Sequence, residues 1–266
     1  MIGIFDSGIG GLTVVKGIMD NLPGYDIVYF GDTARTPYGT KSSRTVIEYC
    51  LQNTRFLVNS GAKMIVMACN TASSVATEAV RASFDIPVFE VVTPAVDLCL
   101  TTTKKAVIGV IGTRATIASG IYEKKILGKN PDAKVHCAPC PLLVPLVEEG
   151  WLKKPETTMI VKKYLHPLKV RQIDTLILGC THYPILKNVI SRKIGKRVAI
   201  IDSSIAMAKG VRSFLADHPD LDSTLAKTGA ARFFVSDITP QFRKTAGRII
   251  GRPIELLQAD AAAFPA

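Results

Sequence analysis

Two cysteines in matching settings, far apart in the chain, constrain its fold more than any other feature. Cys69 follows the apolar run Met64-Ile65-Val66-Met67 and then Ala68; Cys180 follows Leu176-Ile177-Leu178 and then Gly179. Asn70 and Thr71 follow the first cysteine, and Thr181 and His182 follow the second. A short apolar run is how a buried parallel strand reads. Each cysteine therefore stands where a strand gives way to a loop, the end at which open α/β sheets bind ligands. Two thiols offered to one cleft suggest acid/base chemistry from two sides.

The rest of the chain alternates in the same way. Residues 2–8 read as a strand entering a glycine-rich turn. Leu12, Val15, Ile18, Met19 and Leu22 then recur at helical spacing until Pro23-Gly24 stops them. A strand over 26–32, a loop over 33–42, a helix over 45–61, a strand over 63–69 and a helix over 73–84 follow. A strand over 87–92 runs into Thr93-Pro94-Ala95. A second series has strands over 105–113 and 134–140, with a helix near 115–128 between them. Residues 143–152 open a helical stretch, and the next helix runs to about His166. A strand over 174–180, a helix over 184–195 and a strand over 198–204 close the series. The tail reads as a strand over 231–237 and a helix over 238–251. Gly3–Ser7 aligns with Gly109–Thr113 and Cys69 with Cys180 at a nearly constant offset. The expectation is an α/β protein of two similar lobes, each a mostly parallel sheet flanked by helices, pseudo-two-fold related, with the active site in the cleft between them. The first lobe takes residues 1–95 plus 206–266 and the second takes 96–205.

At 266 residues and 47% hydrophobic, the chain can bury a substantial core. The opening MIGIFDSG lacks the basic start and apolar stretch of a signal peptide, and no apolar run is long enough to span a membrane. A soluble cytoplasmic protein is expected, with its six cysteines free. The net charge of +11 suits a nucleic-acid surface or anionic substrates, but the basic residues are dispersed and no aromatics interleave with them. They read as a solvated surface.

A helix N-terminus or a cationic neighbour lowers a thiol pKa. Cys69 precedes a helix expected to start near Thr71 to Ser74, and Cys180 has His182 close by. A buried cysteine is otherwise a small core hydrophobe. Asp6-Ser7-Gly8 and Gly10-Gly11 form a strand-to-helix turn without the dinucleotide fingerprint. An aspartate beside N–H donors suits an amino-acid zwitterion, and a simple tight turn explains the glycines equally well. Pro37-Tyr38-Gly39 reads as a loop able to cover the cleft, or as a structural turn. Cys137 and Cys140 spell C-x-x-C, but no second pair completes a metal site, and no metal is expected. His136, His166 and His218 read as structural or surface residues.

The segments FDSGIGGLTV, YFGDTARTPYG, ACNTAS, VVTPA, GVIGTRAT, CPLLVPLVEEG, LGCTHYPIL and IDSS together resemble the glutamate racemases of the aspartate/glutamate racemase family, nearly end to end. The resemblance implies an isomerase that interconverts L- and D-glutamate without a cofactor and supplies D-glutamate for peptidoglycan. Cys69 would act on D-glutamate and Cys180 on L-glutamate. Asp6 and His182 would assist their neighbouring thiols, and Glu148 would support the Cys180 side. Asp6, Ser7, Tyr38, Gly39, Asn70, Thr71, Thr113, Thr116, Thr181 and His182 would hold the substrate. Glutamate is the expected partner and a homodimer the expected assembly. Contact with nucleic acid or with DNA gyrase has only the net charge behind it. The rivals are a racemase for aspartate and a basic nucleic-acid-binding protein with a vestigial cleft.

Overall fold

Among the described residues, ten short strands form two separate sheets, and the order within one repeats the order within the other. In the computed structural model, which describes residues 1–263, these are β1 (Ile2–Asp6), β2 (Ile27–Gly31), β3 (Met64–Met67), β4 (Val88–Glu90), β5 (Val107–Gly112), β6 (Lys134–Pro139), β7 (Thr175–Gly179), β8 (Ala199–Asp202), β9 (Ala231–Val235) and β10 (Leu256–Gln258). The larger sheet runs β10-β9-β2-β1-β3-β4 and the smaller β6-β5-β7-β8. The order β2-β1-β3-β4 is thus that of β6-β5-β7-β8. Every ladder is parallel, and helices lie in the crossovers, as parallel pairing requires. The expected α/β class and twofold repeat are what the chain adopts. The C-terminal segment adds β9 beside β2 and β10 beside β9.

The register explains where the cysteines stand. Phe5 pairs with Met67 and Gly112 with Gly179. β3 and β7 are buried throughout, so their apolar runs are the sequence signature of strands covered on both faces. Each is the neighbour of its sheet's equivalent central strand, β1 or β5, and ends level with it. Cys69 lies just beyond β3 beside the end of β1, and Cys180 lies just beyond β7 beside the end of β5.

Two helices that the sequence pattern did not disclose join the lobes. The expected strand over 87–92 stops at Glu90, and a helix begins at Val92 and runs to Thr102. The buried Glu90 carboxylate accepts from the backbone N–H of Val92 at 2.6 Å and of Thr93 at 3.1 Å, so the residue that ends the strand also satisfies the start of the helix. The expected strand over 198–204 likewise stops at Asp202, whose side chain caps the helix Ser203–Asp217 by accepting from Ser204 N. Buried residues of these helices, such as Val92, Val96, Met207 and Val211, share one apolar core with Ile4 and Val66 of the first sheet and Val110 and Ile177 of the second. Separate clusters cover the outer faces.

Smaller differences follow from local chemistry. The helix expected over 73–84 starts at Asn70 and breaks between Val75 and Thr77. The one expected near 115–128 breaks at Gly120, which has φ +65°. The one expected over 184–195 begins as a 3-10 turn, Tyr183–Leu186. Among the described residues no helix is long and apolar enough to cross a membrane, and no cluster of His, Cys, Asp and Glu is arranged to hold a metal. Cys137 is exposed, Cys140 is buried, and both are free thiols.

Candidate active site

Cys69 and Cys180 line one narrow, nearly closed cavity between the lobes. Ser7, Pro37, Tyr38, Gly39, Asn70 and Thr71 border it from the first lobe, and Thr113, Val144, Thr181 and His182 from the second. Both sulfurs belong to residues only 5% exposed.

Glycines allow the lobes to approach this closely. A Cβ on Gly10 would collide with Thr181 Oγ1 and stand 2.6 Å from His182 Nδ1; a Cβ on Gly39 would stand 2.5 Å from Thr113 Cβ. Hydroxyls then join the two lobes. Thr71 Oγ1 lies 2.9 Å from Thr113 Oγ1 and 3.2 Å from Thr116 Oγ1, and Thr113 and Thr116 are themselves 3.0 Å apart. Thr113 also caps the helix Arg114–Ala118 by accepting from Thr116 N.

Asp6 lies at the end of β1 and is fully buried. The N–H groups of its own turn point at it: Gly8 N donates to Oδ2 at 3.0 Å and Gly11 N at 2.9 Å. The anion held by this glycine-rich turn is therefore the chain's own carboxylate. Thr181 donates to Oδ1 at 3.2 Å from the second lobe. Burial raises the Asp6 pKa, while nearby His182 and these donors pull it down. Asp6 stands behind the cavity wall, reaching it through Thr181.

Cys69 occupies the cap position of the helix Asn70–Val75, and its thiol donates to Ser7 Oγ at 3.7 Å. A helix N-terminus was expected to ease its ionisation. Instead burial, reinforced by the Asp6 carboxylate, pushes the thiol up to about 12, against the smaller downward pull of Ala72 N–H and Ser7. The helix start is a single turn and a half, too little to offset full desolvation.

The surroundings of Cys180 have the opposite sign. Its sulfur lies 3.8 Å from His182 Nδ1, and His182 Nε2 lies 3.2 Å from Glu148 Oε1. Burial disfavours the imidazolium, but the contacts with Cys180 and Glu148 outweigh it and raise the His182 pKa to about 10. The imidazole is thus drawn toward its cationic form, set between a sulfur and a carboxylate. Glu148 ends the helix Leu143–Glu148, outside the cavity, and reaches it through His182. Its backbone carbonyl accepts from Gln241 Nε2 of the C-terminal helix Pro240–Ile250 at 3.3 Å.

Tyr38 borders the cavity, but its hydroxyl turns away from it, donating to Asp32 and accepting from Asn53 Nδ2 at 3.0 Å. Arg35 completes this buried network through Asp32 at 2.7 Å and Gln52 at 2.5 Å. Of the residues read from the sequence, ten border the cavity with both cysteines among them, while Asp6, Thr116 and Glu148 stand behind it. Val144, Asp32 and Arg35 escaped the sequence reading. The apolar spacing of Leu143, Val144 and Val147 was the available signal for the first; nothing local announces the other two.

The Asp/Glu/Hydantoin racemase family matches residues 14–211. A glutamate racemase of Persephonella marina is 50% identical over 255 residues, 96% of this chain and 95% of that protein. The crystal structure of a glutamate racemase isoform from Bacillus anthracis superposes with a TM-score of 0.92 at 37% identity, covering 98% of this chain and 97% of that one. That of the Francisella tularensis glutamate racemase in complex with D-glutamate gives 0.90 at 39% identity, over 99% and 98%. The chain belongs to the aspartate/glutamate/hydantoin racemase family and is an enzyme of the isomerase class.

Proposed function

We propose that this family member interconverts L- and D-glutamate by proton transfer between its two cysteines and the substrate Cα, and that the D-glutamate serves peptidoglycan synthesis. One observation carries the mechanism: thiols from topologically equivalent strand ends, one from each lobe, border the same cavity. The near-full-length likeness to glutamate racemases supports the substrate, and the Francisella tularensis enzyme was crystallised with D-glutamate. The peptidoglycan role rests on that likeness alone.

In the L-to-D direction Cys180 acts as a thiolate and removes the Cα proton, forming S–H and leaving a carbanion. Cys69, holding its proton, delivers it to the opposite face and becomes the thiolate. No proton is gained or lost overall; the two cysteines exchange protonation states. The reverse direction starts from the Cys69 thiolate. His182 supplies positive charge beside the Cys180 sulfur, and Glu148 holds the imidazole. The Asp6 carboxylate disfavours a second negative charge on Cys69, so the proton rests there. Ser7, Asn70, the threonine hydroxyls and nearby backbone N–H groups hold the substrate's carboxylates and ammonium. In a water-poor cleft these fixed dipoles stabilise the carbanion more than water would.

The test is to incubate the reduced protein with L-glutamate in D2O, with no added cofactor, following circular dichroism and Cα deuteration by NMR. Loss of optical activity with deuterium entering the product is the expected result. Inert glutamate would overturn the reading and make aspartate the next substrate to try.

A further inference from the structure

Asn70 is 1% exposed and borders the cavity, yet its Nδ2 has no hydrogen-bond acceptor among the described residues. A buried donor left unpaired is costly, and its natural complement is a ligand that accepts from it. The other end of the same amide is engaged. Tyr122 donates its hydroxyl to Asn70 Oδ1 at 2.6 Å. Burial raises the Tyr122 pKa well above its ordinary value, so the phenol stays a donor. A hydroxyl that donates selects the carbonyl end of the amide and leaves the NH2 as the free end.

Tyr122 also lies against the other cysteine's turn. It belongs to the second-lobe helix Ile121–Lys129, and its ring is 2% exposed. A Cβ on Gly179 would stand 3.1 Å from Tyr122 Cε2, so the missing side chain before Cys180 is what admits the ring. One side chain thus touches the residue preceding Cys180 and the residue following Cys69.

We propose that Tyr122 is a positioning residue, whose hydroxyl orients the Asn70 amide so that Nδ2 donates to a carboxylate oxygen of the bound amino acid. The proposal rests on the reading of this cavity as the glutamate site. The bond satisfies the buried Tyr122 hydroxyl and also fixes one orientation of an amide whose other end is unused.

Tyr122→Phe keeps the ring against Gly179 and removes only the hydroxyl. The experiment compares steady-state kinetics for L- and D-glutamate in the wild type, Tyr122→Phe, Asn70→Ala and the double variant. KM in Tyr122→Phe should rise about tenfold for both enantiomers, with a smaller fall in kcat, as expected when a charge-assisted hydrogen bond to substrate is lost. In the Asn70→Ala background the same substitution should change KM less than about twofold, because its effect passes through Asn70. A KM near wild type in Tyr122→Phe, or a full tenfold rise on top of Asn70→Ala, overturns the proposal while leaving the glutamate reading intact. A wild type that does not turn over glutamate overturns that reading and this proposal with it. An independent check needs no Tyr122 variant. The Asn70 side-chain NH2 resonances of the wild type, assigned by their loss in Asn70→Asp, should shift when glutamate is added; an unmoved pair overturns the proposal.

Discussion

The turns carrying Cys69 and Cys180 occupy the same topological position in their lobes but have opposite electrostatic surroundings. Behind Cys69 stands a buried carboxylate, Asp6, and the thiol is pushed up to about 12. Beside Cys180 stands an imidazole raised to about 10, itself held by Glu148. Strand order and register settle where each sulfur sits. The charged side chains beside them differ: Asp6 behind Cys69, His182 with Glu148 beside Cys180. A repeated α/β unit thus places two thiols alike, and a few side chains make their surroundings unequal. In the mechanism proposed above, that inequality favours the state with the proton on Cys69, poised for L-glutamate.

The largest effects should come from removing either thiol. Cys69→Ala and Cys180→Ala should each lower kcat at least about 10³-fold, the upper range for loss of a general acid or base, with the circular dichroism of the fold unchanged. If either retained near-wild-type turnover, the two faces would not both be needed and the comparison would collapse. The next substitution tests the inequality itself. His182→Asn should slow washout of the Cα proton from L-glutamate about 10²-fold and affect washout from D-glutamate less. The Haldane relation binds the overall rate constants, so single-direction exchange is the measurement. Equal losses from both enantiomers would show that His182 does not act through Cys180.

Gly10 examines the contact between the lobes rather than either thiol. Gly10→Ala places a methyl where Thr181 and His182 of the other lobe already sit. The expected cost is about 1–3 kcal/mol of stability, typical of overpacking, and roughly a tenfold loss in kcat/KM as the lobes are held apart, read by thermal unfolding and by kinetics. The first lobe's turn carries glycine here because it nests against the second. At the position equivalent to Gly10 the second lobe carries Thr116, inside a helix that starts directly at Arg114.

The sequence disclosed what is local and periodic. Apolar runs ending at Cys69 and Cys180 marked the two strands, their matching contexts marked the duplication, and their resemblance to one family brought in the polar residues around the cavity. The helices Val92–Thr102 and Ser203–Asp217 stayed hidden because Glu90 and Asp202 each end a strand and cap a helix within the same few residues. A pattern reading assigns such a residue to one element only. The direction of the Cys69 shift was also illegible. The helix start that favours a thiolate is visible in the chain, but the burial that opposes it depends on both lobes together. The same holds for Tyr122, whose partner Asn70 is distant in sequence and lies in the other lobe.

The smallest expected effect concerns the carboxylate that supports only one of the two faces. Glu148 is a third exposed, its side chain being 30% accessible, so its ion pair with His182 is partly screened and contributes about 1 kcal/mol or less. Glu148→Gln removes one of the two partners that raise the His182 pKa and leaves Cys180 in place. The imidazole, followed by NMR through its Cε1–H, should titrate below the midpoint of about 10 expected for the wild type but still above the ordinary 6.5. The sign of the stability effect follows. A folded-state pKa raised above its unfolded value contributes stability that is fully present below about pH 6.5 and is lost as pH rises through about 10. The wild type should therefore exceed Glu148→Gln in stability at pH 6, and the gap should narrow as the pH is raised toward 10. A gap that stayed constant from pH 6 to 10 would mean that Glu148 supports its helix end and not the charge on His182, and the inequality between the two faces would then rest on Asp6 alone.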